Sequence, residues 1–250
     1  MTKYRMKFLN TNIDNVNMAE AIDTIDDFIK DGNYHYVVTP NVDHIVRLEN
    51  DNEFREVYKN ADLILIDGMP LVWISKWLKT PVKEKVSGSD LFPSVCELAA
   101  NKGYSVFILG AAEGVAFKAG ENLKKKYPGL KISGTFSPSF GFEKKPNEIK
   151  YIIDMINKIK PDILAIGVSA PKQEKFIYKY RKELRVPVSL AIGASIDIEA
   201  GNLKRAPRWM QKAGLEWFYR MFRQPKKIFK RVFIDDLKII KVYSKYKKAN

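Results

Sequence analysis

The 250-residue chain has a single cysteine, Cys96, and only two histidines, His35 and His44. One thiol excludes an internal disulfide, and one thiol with two imidazoles is too few for a Cys/His zinc site. Neither histidine stands in a recognisable serine or cysteine context, which argues against a nucleophilic triad. No run approaches the ~18–20 apolar residues that a membrane-spanning helix needs. The N-terminal MTKYRMKFLN has no apolar stretch of signal-peptide length. The expectation is a cytosolic protein that meets membranes only at their surface. Paired acids are scarce: Asp26-Asp27 lies in an amphipathic stretch, Asp235-Asp236 among lysines, and Asp197-x-Glu199 stands alone. No metal and no cofactor is therefore expected. A G-x-G-x-x-G fingerprint and a Walker loop are also missing, which counts against a nicotinamide-dependent oxidoreductase.

What is present is a soluble globular composition, 46% hydrophobic and 29% charged, with enough chain for one large α/β domain or a domain plus an appendage. Tyr36-Val37-Val38, Leu63 to Ile66, Val106 to Leu109, Ile163 to Ile166 and Val188 to Ile192 are short, unalternated apolar runs. Such runs suit strands buried on both faces of a parallel sheet. Between them lie amphipathic stretches, such as Ile149 to Ile159 with isoleucines at helical spacing. This order predicts a Rossmann-like, mostly parallel open sheet with flanking helices.

Ligands of such sheets bind beyond the carboxyl ends of the strands, so the residues after each run matter most. These are Thr39-Pro40-Asn41, Asp67-Gly68, Gly110 to Gly114, Gly167 to Glu174 and Gly193 to Asp197. Together they suggest a phosphate- or nucleotide-containing ligand. Singly, each keeps two readings. Asp67 is either the N-cap of a helix starting near Met69 or a general base, and Thr39 and Asn41 are either caps or pocket residues. The glycines of GAAEG either cradle phosphate or permit tight strand–helix packing. Pro171, Lys172 and Gln173 either begin a surface helix or address a diphosphate and sugar hydroxyls.

The charge is uneven. Residues 201–250 hold 15 Lys or Arg and 3 Asp or Glu, a net of +12 within the chain's +14, interleaved with aromatics. This divides the chain into a near-neutral body, 1–200, and a basic appendage, 201–250. Arg205, Arg208, Arg220 and Arg223 lie among Trp209 and Trp217, and guanidinium groups grip phosphate in bidentate fashion. From Pro225 a helical plot puts Ile228, Phe229, Val232, Phe233, Leu237, Ile239, Ile240, Tyr243 and Tyr246 on one half, opposite most lysines. Such a helix either lies on an anionic membrane or packs its apolar half on the body. A nucleic-acid-binding module is the competing use of a basic aromatic tail.

The motifs TPNVD (39–43), IDGMP (66–70), KVSGSDLF (85–92), ILGAAEGVA (108–116), GVSAPKQEKFI (167–177), IGASIDIEAGNLKRAP (192–207) and GLEWFYRMFRQP (214–225) occur in this order. The set resembles the WecG/TagA/CpsF glycosyltransferase family, from about residue 8 to 231. The resemblance implies inverting transfer from a UDP-sugar to a polyprenyl-diphosphate-linked sugar, by a peripheral protein at the inner face of the plasma membrane. It implies Asp67 as catalytic base, Thr39 and Asn41 lining the sugar pocket, and Gln173 touching the transferred sugar. Gly110, Lys172, Gly193, Asp197, Arg205 and Arg208 join the expected substrate-binding set. Arg220 matches an arginine near the diphosphates. Where teichoic-acid members continue with arginines, this chain has Lys226, Lys227 and Lys230, shifting weight to Arg220, Arg223 and Arg231. Ser137 to Phe142 stands where those members carry a His-Gly-Tyr-Phe-like stretch. The donor is thus N-acetylmannosamine-like or, alternatively, a UDP-glucose or UDP-glucuronate type. The expected partners are the UDP-sugar, an undecaprenyl-diphosphate-linked acceptor and an anionic membrane surface, with no nucleic acid; a homo-oligomer is left open.

Overall fold

A computed structural model describes residues 4–212, 215, 216, 218, 219 and 236–247. The apolar runs form parallel strands because each places alternate residues in two separate cores. The strands are β3 (His35–Val38), β4 (Leu63–Ile64), β5 (Ser105–Gly110), β7 (Ile163–Gly167) and β8 (Val188–Ala191), preceded by β1 (Arg5–Phe8) and β2 (Thr11–Asp14). With β6 (Lys131–Phe136), the last six form a parallel sheet of order β4-β3-β8-β7-β5-β6. Tyr36, Val38, Phe107, Leu109, Leu164 and Ile166 enter one core, whereas Val37, Val106, Ile108, Ile163, Ala165, Val188 and Leu190 enter the other. The expected Rossmann-like sheet with flanking helices is the observed one.

Helices cover both faces. On one lie α1 (Met18–Lys30), α5 (Gly88–Lys102), α6 (Val115–Lys126) and α9 (Ser195–Glu199). On the other lie α2 (Val42–Arg47), α3 (Asn52–Lys59), α4 (Met69–Trp77), α7 (Pro146–Ile159) and α8 (Lys172–Leu184). The isoleucine periodicity of α7 holds at Ile149, Ile152, Ile153 and Ile156, which are buried, but not at Ile159, exposed at the helix end. α1 opens with a capping box, the Asn17 side chain and the Glu20 side chain each serving the other's backbone N–H.

Two elements had no sequence expectation. The edge strand β6 is only half-buried and mixes polar residues with apolar ones, so its run carries no apolar signature. The β1–β2 hairpin is short; it buries Phe8, Leu9 and Ile13 and is tied down by a buried charge clamp. Arg5 donates to both Asp14 carboxylate oxygens, at 3.0 and 2.7 Å, and to the carbonyls of Ala61 and Asp62, each at 2.8 Å. Asp14 also accepts the Ile64 N–H at 2.8 Å, occupying an outward donor of the edge strand β4.

Following α10 (Arg208–Lys212), the described tail resumes as a 3₁₀ turn, Asp236–Lys238, and a C-terminal helix, Ile239–Lys247. Val242 is buried there, with Ile239, Tyr243 and Tyr246 packed on the core beside α2. Leu237 and Ile240 instead face outward, 52% and 60% exposed, although the helical plot grouped them with Tyr243. Ile240 lies in the helix itself, about 100° round from Ile239, so the packed face is narrower than the half-turn plotted.

The Asp14 side chain is fully buried and its Arg5 partner nearly so. Removing one member of such a pair leaves an uncompensated charge, and Asp14→Ala is expected to cost about 3–5 kcal/mol in urea denaturation. A loss below about 1 kcal/mol would show that the hairpin does not depend on the clamp.

Candidate active site

The chain leaves β5 toward β6 but leaves β7 in the opposite direction, toward β8. Diverging connections open a crevice beyond the carboxyl ends of these strands. Its floor is bare backbone. A Cβ on Gly110 would lie 2.4 Å from the Gly167 carbonyl oxygen, and one on Gly167 would lie 2.4 Å from that of Gly193. Gly110 is also at φ +133°, a conformation that L side chains rarely adopt. Ser137 fixes the loop above this floor by donating to the Ala112 carbonyl at 3.0 Å and the Gly110 carbonyl at 3.2 Å.

Asp67 stands at the same edge, after β4, which β3 and β8 separate from β7. Its N–H donates to the Pro40 carbonyl at 2.8 Å, and the neighbouring Ile66 carbonyl accepts the Val86 N–H at 2.9 Å. The segment is thus clamped between the loop after β3 and the approach to α5. The cap of α4 is Gly68, at φ +109°, and not Asp67. The side chain is half-buried at the rim. Thr39 is buried, and its hydroxyl faces Gly88, where a Cβ would be 3.4 Å from Oγ1 and 3.2 Å from the Ile192 carbonyl. Asn41 caps α2, accepting the His44 N–H at 3.3 Å, which is the simpler of its two readings.

A charged cluster not singled out from the sequence sits at the start of α5. Asp90 receives Arg205 at 2.7 Å, Lys85 at 2.9 Å and the Ser87 hydroxyl at 2.6 Å. Burial alone would raise its carboxyl, but Arg205, Lys85 and Ser87 outweigh this and hold it at about 2. Burial likewise opposes the charge on Arg205, and Asp90, Glu216 and Asp67 together raise it. Arg205 Nε and Nη2 are buried without a hydrogen-bond partner, and Nη2 is 3.9 Å from Glu216. One side of this guanidinium is spent on Asp90; the other retains donors. The signal in the sequence was Ser87-x-x-Asp90, a capping-box spacing, although Ser87 bonds the Asp90 side chain instead of capping.

On the far side, Gln173 and Glu174 form a second missed network. Gln173 is buried; its amide oxygen accepts the Gly193 N–H at 3.1 Å, and its amide nitrogen donates to Glu174 Oε1 at 2.8 Å. Gln173 therefore ties the start of α8 to the loop after β8. Glu174 is fully buried, and its Oε2 has no hydrogen-bond partner. Burial pushes its carboxyl up to about 7, against the lowering effects of Gln173, the backbone and Arg47. Lys172 points elsewhere: it pairs with Glu143 at 2.7 Å and lies 4.9 Å over the Phe140 ring. That brings the Ser137 to Phe142 stretch against the start of α8.

Thr39, Asp67, Gly110, Gln173, Gly193 and Arg205 are thus gathered at one edge of the sheet. Asp197 lies half-buried in α9, its carbonyl accepting the Asn202 and Leu203 N–H groups. Arg208 opens α10, and Arg220, Arg223 and Arg231 lie outside the described residues. Among the described residues no group of three His, Cys, Asp or Glu side chains could hold a metal ion. α5, α6 and α8 begin at this edge without a side-chain cap hydrogen bond, a setting suited to an anionic ligand, with a carboxylate at the same edge.

A family model described as "Glycosyl transferase WecG/TagA/CpsF family" matches residues 6–250. The relatives include three proteins named N-acetylglucosaminyldiphosphoundecaprenol N-acetyl-beta-D-mannosaminyltransferase. That of Bacillus spizizenii is 34% identical over 190 residues, covering 76% of this chain and 72% of its own. That of Bacillus subtilis is 29% identical over 212 residues, covering 84% and 80%. That of Staphylococcus aureus is 28% identical over 249 residues, covering 98% and 96%.

The buried carboxyl gives a pH signature. Glu174 holds a proton in the folded chain up to about 7, whereas its ordinary value is 4.5. Between these values the folded state binds the extra proton, so stability is fully present below about 4.5 and declines as pH rises through about 7. The loss amounts to about 3 kcal/mol at most. Glu174→Gln is expected to remove this slope, measured by urea denaturation across that range. A variant with the wild-type slope would mean that Glu174 is not neutral in the folded chain.

Proposed function

The chain belongs to the WecG/TagA/CpsF glycosyl transferase family, and from that premise we propose that it moves a sugar from a UDP-sugar to a polyprenyl-diphosphate-linked sugar. The observation that carries this reading is Asp67, held by its own backbone at the same sheet edge as Gly110, Gly167 and Gly193. Asp67 accepts the proton of the acceptor hydroxyl as that oxygen attacks the anomeric carbon. The bond from that carbon to the UDP oxygen breaks, its electron pair leaves with UDP, and the anomeric configuration inverts. The departing charge is met by loop amides above Gly110 and Gly193 and by guanidinium groups, Arg205 first and then Arg208, Arg220, Arg223 and Arg231, without a metal.

Thr39 and Asn41 line the sugar side of the pocket in this proposal. Gln173 acts chiefly by fixing Gly193, since its amide oxygen is already engaged there. The relatives' names describe an N-acetylglucosaminyldiphosphoundecaprenol acceptor and an N-acetylmannosaminyl transfer. The same acceptor class is proposed here, with a role in teichoic-acid or related cell-surface polysaccharide synthesis. The donor is UDP-N-acetylmannosamine or a related UDP-hexose, because Ser137 to Phe142 packs beside the crevice and differs from the stretch of the teichoic-acid members. Residues 1–200 carry the chemistry, and 201–250 serve as lid and attachment to the inner face of the plasma membrane. No described helix is long and apolar enough to cross a membrane.

Supplying a UDP-sugar panel with a lipid-diphosphate-sugar acceptor in EDTA is expected to release UDP for at least one donor. Asp67→Asn should lower that turnover by about two to four orders of magnitude while leaving the far-ultraviolet circular dichroism unchanged. Wild-type turnover in the variant would remove Asp67 from the mechanism, and turnover abolished by EDTA would contradict the metal-free assignment.

A further inference from the structure

α4 follows Asp67 after a single glycine and carries Trp73 and Trp77, 37% and 63% exposed. The two are four residues apart and share one helical face. Tryptophan is a costly residue to leave in water, and two on one face form an exposed aromatic rim. This rim is continuous with the tail: the Trp77 ring meets Tyr243 of the C-terminal helix edge-on, with centroids 6.1 Å apart. One turn from Tyr243 is Ile240, 60% exposed, and one turn further is Leu237, 52% exposed.

We propose that α4 and the C-terminal helix form one docking surface for an anionic bilayer, with Trp73 and Trp77 as interfacial anchors. This rests on the acceptor reading above and adds to it a second, body-borne contact. Charge selects the occupant. Lys76 and Lys79 flank the tryptophans, Lys238 and Lys241 flank Ile240, and all four are exposed. No acid occurs from 68 to 83 or from 237 to 250. A second copy of a chain with net charge +14 would bring like charge to this face. An anionic lipid surface complements it, with tryptophan seated at headgroup level and lysines reaching the phosphates. Leu237 and Ile240 add aliphatic insertion that nucleic-acid bases do not reward. The placement also serves the chemistry. Trp73 and Trp77 stand about 6 and 12 Å along the helix axis from Met69, so a bilayer seated on them lies close to Asp67. An acceptor diphosphate at that plane then has a short path to the base.

The test uses the full chain carrying Trp209→Phe and Trp217→Phe, which leaves Trp73 and Trp77 as its only tryptophans. Vesicles of phosphatidylcholine and brominated phosphatidylglycerol should quench their fluorescence, and vesicles of phosphatidylcholine alone should quench it far less. In the otherwise unaltered chain, Trp73→Ala with Trp77→Ala should weaken partitioning onto the anionic vesicles by about tenfold or more. UDP release with a short-chain, water-soluble acceptor should stay unchanged. Sedimentation with vesicles but no quenching would overturn the proposal, leaving the tail as the sole contact. So would quenching by RNA but not vesicles, or a dimer in analytical ultracentrifugation that the Trp77 variant abolishes without altering partitioning. Absence of UDP release from the unaltered chain with the soluble acceptor would instead count against the transferase reading, whatever the vesicles show.

Discussion

At the carboxyl ends of β5, β7 and β8, the backbones of Gly110, Gly167 and Gly193 approach so closely that a methyl group at either of the first two would meet a carbonyl oxygen at 2.4 Å. That contact has two consequences. It brings neighbouring strand ends into backbone contact, and it requires that Gly110 and Gly167 carry no side chain. A ligand resting there meets backbone amides and helix N-termini before it meets anything else. Selective groups stand along the rim: Asp67 is held by the loop after β3, Thr39 lies against Gly88, and Arg205 is held by Asp90 at the start of α5.

The rim is rigid because its supports are polar and mostly buried. Gln173 ties the turn into α8 to Gly193, with a protonated Glu174 behind it. Asp90 gathers Arg205, Lys85 and Ser87 at the start of α5. Burying such groups is costly unless each is matched, and these networks match most of their members while leaving two Arg205 nitrogens with donors to spare. A diphosphate bound beside Arg205 would occupy donors that the protein leaves open, without breaking the Asp90 pair that holds the guanidinium in place.

The central sheet was legible because strands buried on both faces leave continuous apolar runs, and all five such runs are strands. The edge strand β6 and the β1–β2 hairpin were not: one is half-buried, and the other depends on a single ion pair whose partners are nine residues apart. For the site, the glycines and Asp67 were visible as residues that follow strands. The work of Gln173 was not, since nothing in a Lys-Gln pair at a helix start says that the glutamine turns inward. Asp90 is held low partly by the distant Arg205, and Glu174 is pushed up by burial, neither of which a local pattern shows. The tail was read as one broad apolar half, and the face that packs on the core is narrower, with Leu237 and Ile240 outside it.

A donor bound over the glycine floor, with its sugar facing Asp67 and its acceptor arriving from a membrane beside α4, is one arrangement with one geometry. Its most direct test is a crystal structure of the Asp67→Asn chain with UDP-N-acetylmannosamine. The account predicts the diphosphate above Gly110 and Gly193 and the anomeric carbon turned toward residue 67, with room between them for one hydroxyl. A nucleotide bound away from this crevice, or an anomeric carbon turned from residue 67, would contradict it.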